Sequence, residues 1–340
     1  MPGPLPTSTD SFFVFDPNLK LPRVYQWNAA LEQSLNNNQV VSLSYVAAVG
    51  RDLLRVEERQ SLNPGLPGLL EISKNDATSD YHALQLQYRR RLTRGLQALG
   101  SYTFGKSLDT VSTDALATVP VDIFGQNDRG PSSFDVRHAF NAAITYELPQ
   151  PRKSSPVHYI FSSWAIDGII TARTATPVNV TYFVTSTTGQ TGTFTVRPDL
   201  ITSQPLYVAD TTMGGGLRIN RNAFAIPSTL RQGSLGRNTL RGFSLAQLDF
   251  ALRRQFSLGE RVKLQFKTEV FNLFNPPNFG NSNGSLGSAS GGSFFPDALF
   301  GQSIFMFGRS LGTGGSSGGF NPLYQVGGPR SIQLSFRLAF

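Results

Sequence analysis

A fold of antiparallel strands with almost no helix is predicted by three features of this sequence. Apolar and polar residues alternate one by one over long stretches, the turn-forming segments between them alternate short and long, and the composition is poor in helix formers. The 340 residues are 39% hydrophobic and only 15% charged, with 33 Gly, 21 Pro and 26 Phe. Gly and Pro break helices, and aromatic side chains suit the pleated surface of a sheet.

The alternation is cleanest at the C-terminus. There Ile332, Leu334, Phe336, Leu338 and Phe340 point one way, and Ser331, Gln333, Ser335, Arg337 and Ala339 the other. The same split separates Val262, Leu264, Phe266, Thr268 and Val270 from Lys263, Gln265, Lys267 and Glu269. It recurs at Leu248, Phe250 and Leu252, at Leu84, Leu86 and Tyr88, and at Phe140, Ile144, Tyr146 and Leu148. Weaker runs pass through Tyr25 to Leu31, Val41 to Val49, Tyr102 to Phe104, and Trp164 to Ile170, so nine strands are predicted.

Alternation alone fits both a soluble sandwich and a membrane barrel, since each hides one face of every strand from water. Length separates them: soluble strands average about 5–6 residues, whereas several of these runs reach the roughly ten that a tilted strand needs to cross a bilayer. The connections agree. Short turns are predicted at Thr93 to Gly95 and Ser257 to Glu260, with modest ones at Asn36 to Asn38 and Pro149 to Ser155. Long Gly-, Ser-, Asn- and Pro-rich stretches fall at 51–79, 106–136, 175–243 and 275–329. Outer-membrane barrels show this asymmetry, with short periplasmic turns and long extracellular loops. Charge sets the register, because a slip of one residue would put Lys263 and Lys267 in lipid at about 2–4 kcal/mol each. Arg90 and Arg254 break the pattern, but both lie beside short turns where a side chain can snorkel to the headgroups. The expected fold is therefore an all-β, antiparallel transmembrane β-barrel, of which these nine strands form part.

Other classes are excluded on the residues. The sequence contains no Cys, so it has neither a disulfide framework nor thiolate metal ligands. The net charge of +8 is scattered, and its only run, Arg89 to Arg91, reads as a solvated or headgroup-level strand end, so no nucleic-acid partner is expected. His82, His138 and His158 lack partners at metal-ligand spacing. Asp135, Arg137 and His138 have no nucleophile motif nearby, and Asp135 with Arg137 is expected to pair at a loop-to-strand junction instead. Gly214 to Gly216 and Gly312 to Gly319 lack the ending of a phosphate loop and read as flexible loops. No enzyme activity, cofactor or metal is expected. No apolar stretch has the length of a membrane helix, and Met1 to Asp10 has no leader character. The missing leader and the odd strand count together predict that the chain, 1–340, is the C-terminal part of a larger barrel. Tyr25, Trp27, Tyr102, Phe104, Trp164 and Phe274 lie toward strand ends, either as interfacial girdles or as ordinary core packing.

At Glu269-Val270-Phe271-Asn272-Leu273-Phe274-Asn275, and again at the ending Ser335-Phe336-Arg337-Leu338-Ala339-Phe340, the sequence resembles the C-terminal end of TonB-dependent receptors. Those barrels carry an Asn-Leu-Phe-Asn segment in the penultimate strand and finish on an aromatic residue. The stretch Asn127 to Pro131, then Phe134 to His138 with Asp135 and Arg137, and Tyr146 to Pro149, resembles the Oar-like branch of that family. The resemblance implies a barrel of roughly 22 strands around a plug. It also implies ligand import energised through TonB, and a terminal strand, Leu334, Phe336, Leu338 and Phe340, that the barrel-assembly machinery recognises. The chain departs from the pattern in showing no TonB box, plug or regulatory-like domain, so the TonB system is expected to act only through upstream regions.

Bacterial outer-membrane localisation follows, with membrane lipid, the assembly machinery and an unknown extracellular ligand as partners. The competing function is a barrel that displays its loops for binding or adhesion and transports nothing. A soluble secreted β-protein is disfavoured by the absence of any catalytic constellation. Ligand contacts are expected from the loops 175–243 and 275–329, since loops on a rigid scaffold carry recognition.

Overall fold

The computed structural model describes residues 11–60, 69–112, 118–120, 128–151, 161–186, 192–259, 261–307 and 326–340. His158, Asn127, Gly312 to Gly319, and parts of the 51–79, 106–136, Pro149-to-Ser155, 175–243, Ser257-to-Glu260 and 275–329 connections lie outside them. Nine strands follow one another in chain order as hydrogen-bonded neighbours within a 12-stranded sheet. They are β1 Arg23–Asn36, β2 Gln39–Gln60, β3 Leu69–Thr93, β4 Leu96–Asp109, β5 His138–Glu147, β6 Trp164–Arg173, β7 Leu245–Ser257, β8 Lys263–Phe271 and β9 Ser331–Ala339. Every neighbouring pair is antiparallel. These are the nine strands that the alternation predicts.

The register carries the pattern across the sheet. Phe266 stands opposite Phe336 on β9 and Arg254 on β7, and Leu252 stands opposite Ile166 and Thr268. Leu86 stands opposite Leu43 and Tyr102. One face is thus a continuous apolar surface. On the other face Asp167 accepts hydrogen bonds from Thr145 at 2.7 Å and from Arg253 at 3.0 Å, and Lys267 donates to Glu269 at 2.6 Å. Polar side chains satisfied in this way suit a wet lumen. Even in the middle of the sheet the apolar face is uncovered: Leu84 and Phe104 are both 45% exposed. Soluble monomers rarely leave a contiguous apolar surface of this extent to water, so its partner is lipid. Leu252→Arg, which places a cation at mid-strand on this face, is expected to cost about 2–4 kcal/mol. Denaturant unfolding in lipid checks it, and a loss below about 1 kcal/mol would contradict the assignment of faces.

The fully described short turns, at residues 37–38 and 94–95, lie at one rim. Arg94 and Gly95 alone join Thr93 to Leu96, both with positive φ, and a Cβ at Gly95 would meet the Glu147 carbonyl oxygen at 2.5 Å. At this rim Arg254 lies over the rings of Trp164 and Phe256, at 5.3 and 4.4 Å, which explains how a cation is tolerated on the apolar face.

The opposite rim carries the long connections, and there the structure corrects one expectation. Residues 175–186, 192–243 and 275–307 share a buried core, and Gly214 to Gly216, expected as a flexible loop, is a packed turn within it. Thr181–Ser186 pairs antiparallel with Gly192–Val196 and parallel with Ser285–Ser290, which forms a hairpin with Ser293–Pro296. Val180, Tyr182, Val196, Ile219, Leu240, Leu286 and Phe300 belong to its buried core. Gly214–Gly216 turns the hairpin between Tyr207–Ala209 and Leu217–Ile219. A Cβ at Gly214 or Gly215 would press on the rings of Phe279 or Phe243, at 2.7 and 2.6 Å, so glycine is required here by close packing.

Candidate functional site

The outer loop unit is held to the long-loop rim by buried ion pairs, and the segment 128–138 supplies the acidic half of most of them. Asp128 accepts two parallel hydrogen bonds from Arg197, at 2.8 and 2.6 Å. Arg237 reaches Asp109 on β4, the Ser112 hydroxyl at 3.0 Å and the Asp128 carbonyl at 3.1 Å. Asp135, 1% exposed, accepts from Arg241 at 2.5 Å and from the Ser107 backbone at 2.7 Å. Its contact with Arg137 is longer, 3.6 Å. The expected Asp135–Arg137 pair is therefore present but secondary: Arg241, 106 positions away, is the main partner. Arg129 completes the set on Asp80, at 2.6 Å, with Arg51 on the other oxygen at 2.7 Å. Bidentate and buried geometry makes such pairs costly to break, which fixes the unit on the rim.

The other motif has a different role from the one expected of a strand segment. Strand β8 ends at Phe271, and Asn272 to Asn275 form a turn in which both asparagines take positive φ, 51° and 55°. Asparagine tolerates this conformation better than other residues with a side chain. The buried Asn272 donates from Nδ2 to the Gly328 carbonyl at 2.9 Å, and its backbone N–H donates to Asp249 on β7 at 2.8 Å. Leu273 donates to the Leu248 carbonyl at 2.8 Å, and Asn275 Oδ1 accepts from the Arg330 N–H at 3.1 Å. The motif thus ties the outer ends of β7, β8 and β9 together. Phe274 is exposed beyond the strand end.

His138 opens β5 on the apolar face, its Nδ1 at 2.6 Å from the Tyr102 hydroxyl. His82 repeats the arrangement with Tyr45 at 2.7 Å, and Trp27 packs edge-on to it. No group of three or more metal-ligating side chains occurs among the described residues. Leu334, Phe336 and Leu338 lie on the apolar face of β9, opposite Thr268, Phe266 and Leu264, and Phe340 follows the last paired residue.

Within the loop unit a cavity of about 690 Å³ opens between Thr181–Ser186, residues 226–230 and residues 289–294. Tyr182, Val184, Ile226 and Phe294 are among its apolar walls, Ser and Thr hydroxyls supply the polar ones, and no charged side chain lines it among the described residues. This is the size of a small-molecule site.

Beyond the rim, β2 and β3 continue as a hairpin in which Arg55 and Glu57 are both buried, 2.5 Å apart, with Lys74 at 3.4 Å from Glu57. Burial pushes the Glu57 pKa up, but Arg55, Asp76 and Lys74 outweigh it and hold the carboxyl below its ordinary value. Glu58 is raised, by burial and by Glu71. The two oppose each other. Glu57 contributes stability that is present above the unfolded pKa and lost as pH falls through its lowered value, whereas protonating Glu58 relieves a penalty. In Glu58→Gln the hairpin is therefore expected to loosen steadily below about pH 4. Hydrogen exchange over residues 51–60 and 69–79 reads this, and a profile flat from neutral to acid pH would contradict it.

A family model described as an outer membrane beta barrel domain matches residues 2–322. The chain belongs to that family. This outer-membrane barrel domain is similar in fold to the outer membrane transporter YddB from Escherichia coli, with a TM-score of 0.53 at 9% identity. The likeness covers 98% of this chain and 34% of that one. The pyoverdine outer membrane receptor FpvA from Pseudomonas aeruginosa PAO1 also matches, with a TM-score of 0.43 at 10% identity, over 95% of this chain and 30% of that one. The chain thus spans about a third of the length of these solved structures. A sequence comparison with curated proteins finds no match. The protein is a bacterial outer-membrane β-barrel domain, and its apolar face is its lipid face.

Proposed function

We propose that this barrel domain is part of the wall of a TonB-dependent receptor, Oar-like in kind, that takes up a ligand across the outer membrane. The observation that carries the reading is the loop unit: a folded, cavity-bearing cap clamped to the rim by buried Arg–Asp pairs. A loop that only shields the barrel mouth needs neither a core of its own nor an uncharged cavity of ligand size. The wall supports the same reading. Among the described residues β1 and β9 each pair on one side only, and lipid does not tolerate unpaired strand edges. We infer that further strands close the barrel, and that a plug and the TonB contact lie outside residues 1–340. Residues Leu334, Phe336, Leu338 and Phe340 would then be the strand that the assembly machinery reads. No catalytic role is assigned to any residue.

Uptake tests the reading. Cells with the full-length gene are expected to deplete at least one compound from a complex medium that cells without it leave behind, and to lose this ability when TonB is inactivated. Binding without depletion, or depletion that survives loss of TonB, would replace transport with display.

A further inference from the structure

We propose that His82, Lys106 and His138 form a binding site on the lipid face for the phosphoryl headgroup of an outer-leaflet lipid. The three residues lie at the long-loop edge of the apolar surface, on three consecutive strands. His82 on β3 stands opposite Lys106 on β4, and His138 on β5 stands opposite Phe104, two residues from Lys106 on the same face. Directly opposite side chains in a sheet are about 5 Å apart at Cβ and diagonal ones about 7–8 Å. Lys106 therefore stands on the strand between those of the two histidines, within side-chain reach of both.

Each ring is oriented before any ligand arrives. The Tyr45 hydroxyl lies 2.7 Å from Nδ1 of His82, and the Tyr102 hydroxyl 2.6 Å from Nδ1 of His138. With tyrosine donating to Nδ1, the neutral ring keeps its proton on Nε2, and an imidazolium carries one there too. In both of those states Nε2–H is a donor, and two such donors on the strands flanking Lys106 make a set that matches phosphoryl oxygens. Trp27 against His82 and Phe104 against His138, with centroids 6.2 and 5.0 Å apart, hold the rings from the side.

The surroundings leave the cation available. His82 and Lys106 are exposed, and Lys106 makes no ion pair among the described residues. The carboxylate diagonal to Lys106 on this face, Asp80, is already shared by Arg51 and Arg129. Depth chooses a lipid over a dissolved anion: Leu84 and Phe104 flank His138 in its own row, and the next row, Leu86, Tyr102 and Phe140, continues the apolar face, so the site stands where that face meets the headgroup layer. Lys or Arg at that level draws anionic headgroups. The inference rests on the outer-membrane placement and on the long loops being external, and it is independent of transport.

The test uses the full-length protein in mixed micelles, with bisphosphoryl lipid A as probe and native mass spectrometry as readout. His82→Gln/Lys106→Gln/His138→Gln is expected to weaken lipid A binding about tenfold, the loss of charge-assisted hydrogen bonds, and Tyr45→Phe/Tyr102→Phe by a smaller factor. Phosphatidylcholine and dephosphorylated lipid A should bind wild type and variants alike. Lys106→Gln alone, which leaves both rings in place, gives the answer if the triple variant does not fold. Equal binding of bisphosphoryl lipid A by wild type and a folded variant would overturn the proposal. So would displacement of the lipid by millimolar inorganic phosphate, which would make this a site for soluble anions.

Discussion

Arg237→Ala is expected to free the outer loop unit from the barrel rim while leaving the wall folded. The guanidinium is 10% exposed and its partner Asp109 7% exposed, so the substitution strands a carboxylate in a site built for a cation. Breaking a buried pair from one side costs about 3–5 kcal/mol. Arg237 also holds the Ser112 hydroxyl and the Asp128 carbonyl, so β4, the 128–138 segment and the loop unit lose their common point together. The wall keeps its own backbone ladders, none of which involves residue 237. Limited proteolysis of intact cells should then cut within residues 175–243, where wild type resists, while the barrel itself remains in the membrane. Arg237→Ala/Asp109→Ala is expected to recover part of the resistance, because no uncompensated charge is left. Arg231→Ala, which breaks the exposed pair with Asp199, should change little. Equal protease resistance in Arg237→Ala and wild type would mean that Arg237 is not the latch, and that Arg197–Asp128, Arg241–Asp135 and the apolar core hold the unit without it.

Deleting Phe340 is expected to remove most of the inserted protein in cells and to leave refolding in detergent close to wild type. The structure makes these two effects separable. Strand β9 pairs with β8 up to Ala339, and Phe340 projects beyond the last paired residue, 96% exposed. A fully buried Phe would contribute about 1.5–3 kcal/mol, and little of that is available to a ring with no protein around it. A large effect in cells with a small one in detergent therefore isolates recognition by the assembly machinery. Phe336→Ser is the comparison, since Phe336 packs on Phe266 with centroids 5.1 Å apart and should weaken folding in both settings. Normal insertion without Phe340, or parallel losses in cells and in detergent, would remove the assembly role.

The sequence by itself determined the wall. Side-chain direction in a strand has a period of two, so the nine strands, their lipid and lumen faces and the alternation of short and long connections could be read from local pattern alone. Where that pattern ends, so does the reading. Segments 175–243 and 275–307 show no long period, and only the tertiary structure reveals that they share a core, because that core is assembled from scattered single residues such as Val180, Ile219, Leu240 and Phe300. The latch is legible by half: Asp135 stands in a recognisable motif, but Arg197, Arg237 and Arg241 are isolated arginines in turn-rich sequence, and Arg237 lies 128 positions from Asp109. The Asn272-to-Asn275 motif was visible as residues, whereas its conformation, a left-handed turn clamping three strands, depends on Asp249, Gly328 and Arg330 being brought to it. Strand direction is decided by neighbours in the chain, and ion pairs, turns that bridge strands and loop cores are decided by neighbours in space.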